Sequence, residues 1–384
     1  MRDSIVLRFT SDAPVTSSPL NQFTLYRADV LTEKNILISF CDRSDDKIEY
    51  IDMNNAIQSL VRGEKKYIHW GCENSIIKFI KLITALNIIL KKYDGDYLVH
   101  VHQPTIGAIL APIRYMGILS NSPWIYTIHS NFNFYSFKHK LLTLFASQSS
   151  DIITCISETS LQSLPRVILN MNKQLLMIPN GANTEVIDKV DSYQTSLPQE
   201  RKFKLLYVGR LAQGKNIDMI IEACKNLKNP YKFIICGDGP ERQYLETLAK
   251  QLSVYDNIDF RGMIKRVDVY HEMRNADLYI SASSFEGMPV TALEAMYIGM
   301  PVLLSKIPAH EEVYKQNEIY NMFDISASNI SHEINTIMST YEKHGKYLGE
   351  LNIEHVRSNY SLKSSQDRWT LLYDRLLNKK IKLQ

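Results

Sequence analysis

Several features that would settle a protein's class quickly are missing from this sequence. Its 384 residues hold five cysteines, Cys41, Cys72, Cys155, Cys224 and Cys236, odd in number and scattered, with no C-x-x-C pair for metal binding or redox work. Most sit in apolar strand-like or helical runs and read as reduced core thiols of a cytosolic protein. Charge of one sign is also missing: 44 Lys and Arg against 41 Asp and Glu leave +3, too little for the basic stripe that grips nucleic acid. Nucleic acid is therefore not an expected partner. No apolar run reaches the ~18 residues of a membrane span; the nearest, Ser75 to Leu90, is interrupted by Lys78 and Lys81. Met1-Arg2-Asp3-Ser4 followed by Ile5 to Phe9 lacks the h-region and cleavage site of a signal peptide and reads as a first strand. Repeats and low-complexity tracts are absent. So is a G-x-G-x-x-G after a first strand, of which Gly237-Asp238-Gly239 is only a fragment, and this disfavours a simple dehydrogenase.

What is present is an ordinary globular composition, 45% hydrophobic and 22% charged, on a chain long enough for two domains at roughly 150 residues each. Short β-branched and aromatic runs alternate with longer periodic segments. They are IVLRF, NILISF, YLVHVH, WIYTIH and DIITCI in the first half, then FKLLYVG, YKFIICG, NIDFRG, DLYISA and PVLLS. That alternation predicts an α/β protein with two parallel, Rossmann-like sheets wrapped by helices. The polar stretch from Asp188 to Lys202 separates the two sets, giving domains over 1–187 and 203–361. In the last segment, 362–384, Trp369, Leu372, Tyr373 and Leu376 fall near helical spacing, which predicts a helix returning to the first domain.

Ligands of open parallel sheets sit outside the carboxyl ends of the strands, so the chemistry is sought there. After FKLLYVG come Arg210 and Lys215, two cations beside the start of a helix at Ile217; side chains and helix dipole together suit a diphosphate. A solvated surface loop is the plainer reading of that fragment. The segment Ser281 to Ser305 is more specific. Pro289 at the first helical position and Gly299 past the end, with Pro301 following, define one short helix. Glu286 then lies in the loop before it and Glu294 inside it. Gly287 permits close backbone approach, and the amides of Met288, Pro289's neighbour Val290, and Thr291 belong to a helix start with unpaired donors. Carboxylates accept from vicinal hydroxyls, and eight helical residues rise about 12 Å, a span suited to a sugar nucleotide.

In the first half, His100 and His102 alternate along YLVHVHQP on one face; no third ligand is found for a metal, so buried, hydrogen-bonded histidines are expected, with His102 near an acceptor. His129 ends WIYTIH at a strand mouth. Asp94-Gly95-Asp96 has the D-x-D form of some metal sites but reads as a turn before a strand. Ile76 to Tyr93 carries Lys78, Lys81, Lys91 and Lys92 among apolar residues, as a core-packing helix or a basic amphipathic one lying on a membrane.

The runs YVGRLAQGKN, IICGDGPERQYL, IDFRGMI, SSFEGMPVTALEAMYIGMPVLLS and IPNGANTEV together resemble the retaining nucleotide-sugar glycosyltransferases of family 4, the group 1 glycosyl transferases with the GT-B fold. The resemblance implies two Rossmann-like domains facing across a cleft, the first for the acceptor and the second for the donor. It implies that Arg210 and Lys215 hold the diphosphate, Glu294 the ribose and Glu286 the donor sugar, with backbone from Gly287 through Met288, Pro289, Val290 and Thr291 placing sugar and phosphate. Gly237, Met263 and Ile264 would line the base pocket, and His129 would face the donor sugar. It further implies a UDP- or GDP-sugar as substrate, no cofactor and no metal, and a glycan or lipid-linked saccharide acceptor. The implied location is cytoplasmic, with peripheral contact at the inner face of the cytoplasmic membrane left open. One departure stands out: where the family carries paired glycines after the first strand, this chain has Ser11 to Ser18. A sugar-nucleotide epimerase of the same plan, a glycoside hydrolase using Glu286 and Glu294, and a non-catalytic sugar-nucleotide-binding subunit are the alternatives.

Overall fold

Tyr97–Val101, Trp124–Ile128 and Ile152–Cys155 bury every one of their residues. Their sequences are correspondingly near-continuous apolar runs without alternation, as parallel strands covered on both faces require. A computed structural model of the chain describes residues 5–10, 35–39, 67–69, 83, 84, 86, 97–117, 119, 122–190, 202–314 and 322–381. These divide into two compact units, Met1–Pro179 with Gln366–Gln384, and Asn180–Ser365.

The first unit is a seven-stranded sheet: β1 (Ile5–Thr10), β2 (Asn35–Ser39), β3 (Tyr67–His69), β4 (Tyr97–Val101), β5 (Trp124–Ile128), β6 (Ile152–Cys155) and β7 (Gln174–Met177), in the order β3-β2-β1-β4-β5-β6-β7. Every pairing is parallel. Its core gathers Leu110 and Ile113 of the helix Pro104–Tyr115 with Val99, Trp124, Tyr126 and Ile153. On a second cluster, Trp369, Leu372 and Tyr373 of the helix Leu362–Ile381 pack with Leu98, Ile125, Ile152 and Ile178, and Leu376 joins at its edge. The C-terminal helix thus lies on the first unit's sheet, on the four positions that the helical spacing singled out.

The second unit has five parallel strands, β8 (Phe203–Val208), β9 (Tyr231–Cys236), β10 (Ile258–Gly262), β11 (Leu278–Ser281) and β12 (Val302–Leu304), ordered β10-β9-β8-β11-β12. The order reverses between β8 and β11, so their carboxyl ends frame the crevice in which such sheets bind ligands. Helices Ile217–Cys224, Arg242–Gln251, Arg266–Asn275 and Val290–Ile298 connect the strands.

Two strands, β3 and β7, were not among the ten runs expected from the sequence. The first has three residues, and the second is an edge whose side chains are exposed or half-buried, so neither shows an apolar run. The expected first domain ran to residue 187, whereas the second unit begins at Asn180. The reason is local: the short helix Thr184–Asp188 is tied to the second unit by Arg274 Nη2 donating to the Ile187 carbonyl at 2.9 Å and Tyr297 Oη donating to Asp188 at 3.1 Å. Residues 191–201 of the predicted boundary, the Ser11 to Ser18 loop, Asp94-Gly95-Asp96, Cys41, Cys72 and most of Ile76 to Tyr93 lie outside the described residues. The other three cysteines are free and buried, and burial pushes the thiols of Cys155, Cys224 and Cys236 up to about 12.

Candidate functional site

The loop leaving β8 is stitched to the loop leaving β9. Gly209 donates to the Cys236 carbonyl at 3.0 Å, Leu211 to Asp238 at 3.0 Å, and Glu241 back to Leu211 at 3.1 Å. Gly237 has a φ of +145°, and a Cβ built on it would lie 1.8 Å from the Gly209 carbonyl oxygen; no side chain fits between these two loops. The β8 loop then makes one tight turn, Gln213–Lys215, and Asn216, left-handed at φ 48° and ψ 43°, opens the helix Ile217–Cys224. The Asn216 side-chain Nδ2 donates to the Ala282 carbonyl at 2.7 Å and to Ser284 Oγ at 2.6 Å, while the Ser284 backbone amide donates to the Gly214 carbonyl at 2.9 Å. The loops after β8 and β11 are thereby locked together at the switch point of the sheet.

That lock brings Lys215 and Glu286 into contact, Nζ to Oε1 at 2.5 Å, with side chains 26% and 19% exposed. Ser283 Oγ donates to the same Oε1 at 2.7 Å. Arg210 is exposed and makes no side-chain hydrogen bond or ion pair among the described residues, though its carbonyl accepts from Tyr207 Oη at 3.1 Å. An exposed guanidinium and a half-buried ammonium on the loop after β8, with a carboxylate on the loop after β11, can receive an anion and a polyol.

The helix Val290–Ile298 starts at Pro289, which stands as its N-cap with φ −80° and ψ 67° rather than at its first helical position, and no side chain caps it. One expectation there needs correcting: the Val290 amide is occupied, donating to the Met288 carbonyl at 2.9 Å. Met288, Pro289 and Val290 are buried, Gly287 and Thr291 half-buried. Gly299 ends the helix at φ 86°, as expected of a left-handed cap. Glu294 is 2% exposed. It accepts from Tyr270 Oη at 2.9 Å and is ion-paired with Arg266, whose Nε bonds Tyr270 Oη at 3.1 Å. The partners of Glu286 and Glu294 are thus separate sets. After β10, Met263 is 74% exposed and Ile264 half-buried, beside Gly262, whose carbonyl accepts from the Gly237 amide at 2.8 Å.

In the first unit, His100 is fully buried, with Nδ1 2.6 Å from Tyr373 Oη and Nε2 2.7 Å from Thr127 Oγ1. It links the C-terminal helix to β5. His129, half-buried at the carboxyl end of β5, has its Nε2 3.1 Å from Nδ1 of His102. The motif reading did not reach Arg266, Tyr270, Ser283, Ser305 or His310, which surround the two glutamates. Ser283 stands three residues before Glu286 and was in view; Arg266, Tyr270 and Ser305 make contacts across 20 or more positions, which spacing does not display, and His310 joins them only through Ser305.

Residues 189–350 match the family described as glycosyl transferases group 1. Over 288 residues, 70% of this chain and 72% of the relative, the sequence is 29% identical to the UDP-Gal:alpha-D-GlcNAc-diphosphoundecaprenol alpha-1,3-galactosyltransferase of Escherichia coli. It is also 29% identical to the E. coli O-antigen biosynthesis glycosyltransferase WbnH over 218 residues, 54% of this chain and 61% of the relative. Among solved structures, Anabaena HepE in complex with UDP and glucose superposes with a TM-score of 0.76 at 14% identity, covering 97% of this chain and all of that one. At that identity the likeness speaks for the fold, two parallel sheets of the GT-B kind. The loops at the β8–β11 switch point lie inside the matched region, and over residues 189–350 the chain is similar to the group 1 glycosyl transferases.

Proposed function

We propose that the protein is a retaining glycosyltransferase that moves a sugar from a UDP- or GDP-linked donor to a hydroxyl of a glycan or lipid-linked saccharide in bacterial surface polysaccharide synthesis. The observation that carries the reading is the Lys215–Glu286 pair, held at 2.5 Å where the sheet order reverses, with Arg210 exposed beside it on the same loop. The ammonium and carboxylate satisfy one another across this contact. A diphosphate offers Lys215 a doubly charged partner and releases Glu286 to accept from the hydroxyls of the sugar next to it.

The roles follow from the chemistry. Arg210 and Lys215 neutralise the charge that grows on the leaving diphosphate, while the acceptor hydroxyl attacks the anomeric carbon from the same face and passes its proton to a leaving phosphate oxygen. No enzyme nucleophile is required, and the two cations supply the charge for which other transferases recruit a metal. Glu294 takes the ribose hydroxyls, exchanging its ion pair with Arg266 for them, and Gly237, Met263 and Ile264 border the base. Gly287 to Thr291 line the donor. We assign His129, of the first unit, to the donor sugar.

The relatives support the substrate classes. One is named for UDP-Gal and a diphosphoundecaprenol-linked acceptor, and another for O-antigen biosynthesis. A lipid-linked acceptor would place the protein on the cytoplasmic side with peripheral membrane contact; among the described residues no helix is long and apolar enough to cross a membrane.

The test is a panel of UDP- and GDP-sugars scored first by protection against thermal unfolding, since a ligand bound only to the native state raises stability, and then by product formation on lipid-linked saccharides. Protection by one donor together with retention of anomeric configuration in the product is expected. Silence from the whole panel would overturn the reading, and binding without turnover would reduce the protein to a sugar-nucleotide-binding subunit.

A further inference from the structure

Behind Glu286 lies a buried polar chain that none of the donor roles uses. Ser283, 1% exposed, donates from Oγ to Glu286 Oε1 at 2.7 Å, and its carbonyl accepts from Ser305 Oγ at 2.6 Å. Ser305 is fully buried at the end of β12, and its carbonyl oxygen lies 2.9 Å from His310 Nδ1, with Oγ at 3.2 Å. A carbonyl only accepts, so Nδ1 carries a proton and donates it to the Ser305 carbonyl. Nε2 of His310 is buried and has no hydrogen-bond partner among the described residues.

We infer that Ser283, Ser305 and His310 form a brace that fixes the Glu286 carboxylate for the sugar of the donor. The three are positioning residues, and the inference rests on the donor reading given above. Both anchors of Glu286, Lys215 Nζ and Ser283 Oγ, meet Oε1, and Oε2 has no hydrogen bond among the described residues. The carboxylate is therefore held by one oxygen with the other left to accept. When Lys215 turns to a diphosphate, Ser283 is the anchor that Glu286 keeps among the described residues. Ser283 in turn is held through its carbonyl by Ser305, and the Ser305 backbone is clamped by His310, so loop and strand end move as one. Desolvation holds His310 neutral, below its ordinary range, in spite of the nearby Glu286 charge, which keeps the clamp a donor at Nδ1 and nothing more.

Two ligands separate this role from mere loop stability: a sugar nucleotide, which needs Glu286, and the matching bare UDP or GDP, which does not. The probe is whichever sugar nucleotide of the panel protects the wild type best. Calorimetric titration of Ser283→Ala and Ser305→Ala is expected to weaken sugar-nucleotide binding about fivefold to tenfold and leave the bare nucleotide within about twofold, while Ser283→Thr restores it. His310→Asn, which keeps an N–H at the Nδ1 place, is expected to bind like wild type, and His310→Leu to behave like Ser305→Ala. Should His310→Leu not fold, the two serine variants decide alone. Equal weakening of both ligands, or of neither, in a wild type that binds would overturn the brace and leave the donor reading intact. A wild type that binds no sugar nucleotide brings down both.

Discussion

Lys215 and Glu286 show how one pair of residues carries the donor reading. Their 2.5 Å contact is only partly exposed, so Lys215→Ala leaves a carboxylate at the strand mouth without its cation, and the diphosphate then meets a negative charge instead of a positive one. The expected outcome is a loss of ~10²-fold or more in kcat/KM, the order seen when a preorganised charge-stabilising group is removed, with a smaller loss for Arg210→Ala; near-normal transfer by either would refute their roles. His310 adds a pH dependence of fold stability. Burial first of all lowers its pKa from the ordinary 6.5; the unfolded chain thus binds a proton in a range where the folded chain does not. Stability supplied by neutral His310 is full above about pH 6.5 and is lost as pH falls from there through the folded value. Urea denaturation at pH 7.5 and 5.5 should therefore show wild type losing more stability than His310→Asn over that interval. At this scale the sequence displayed Arg210, Lys215 and Glu286 because each belongs to a contiguous motif. It did not display the burial of Glu294, whose partners Arg266 and Tyr270 lie a helix away, nor His310, because tertiary contacts decided both.

Among the elements, legibility followed burial. β4, β5 and β6 are covered on both faces and announced themselves as apolar runs, whereas β7 pairs on one edge only and its Gln174-Leu175-Leu176-Met177 is half solvent. The helix Val290–Ile298 was visible from its Pro and Gly ends, and its start shifted by one residue because Pro289 keeps an extended-side ψ of 67°. The glycines that matter are those where the backbone has no alternative. Gly237→Ala would put a Cβ against the Gly209 carbonyl, 1.8 Å away at a φ of +145°, and neither loop can retreat without breaking its hydrogen bonds to the other. A loss of ~2–4 kcal/mol is expected, together with loss of nucleotide protection, because the same two loops position Arg210. Gly299→Ala keeps its backbone at φ +86° beside the Ile353 side chain and is expected to cost only ~1–2 kcal/mol. Thermal unfolding of both variants with and without donor separates them: binding should be spared in Gly299→Ala and not in Gly237→Ala.

For the molecule as a whole, two sheets with separate cores make separate demands on the chain. The first unit recruits the distant C-terminal segment: Trp369 is 1% exposed against Leu98, Ile125 and Ile152, and Tyr373 reaches His100 at 2.6 Å. The second unit is continuous from Asn180 to Ser365 and contains every residue assigned to the donor except His129. Truncating Trp369 to Ala should cost ~3–5 kcal/mol, the usual range for a large buried aromatic, and the loss should fall on the unit whose sheet it covers. Hydrogen exchange read by mass spectrometry gives the location as well as the size. Faster exchange is expected in β4, β5 and β6 of Trp369→Ala, with β8, β9 and β11 close to wild type. A protecting sugar nucleotide should do the reverse, slowing exchange in the loops after β8, β9 and β11. If the donor instead slowed only the first unit, the assignment of the donor site to residues 203–313 would be wrong, and the motifs on which it rests would be marks of fold and not of function.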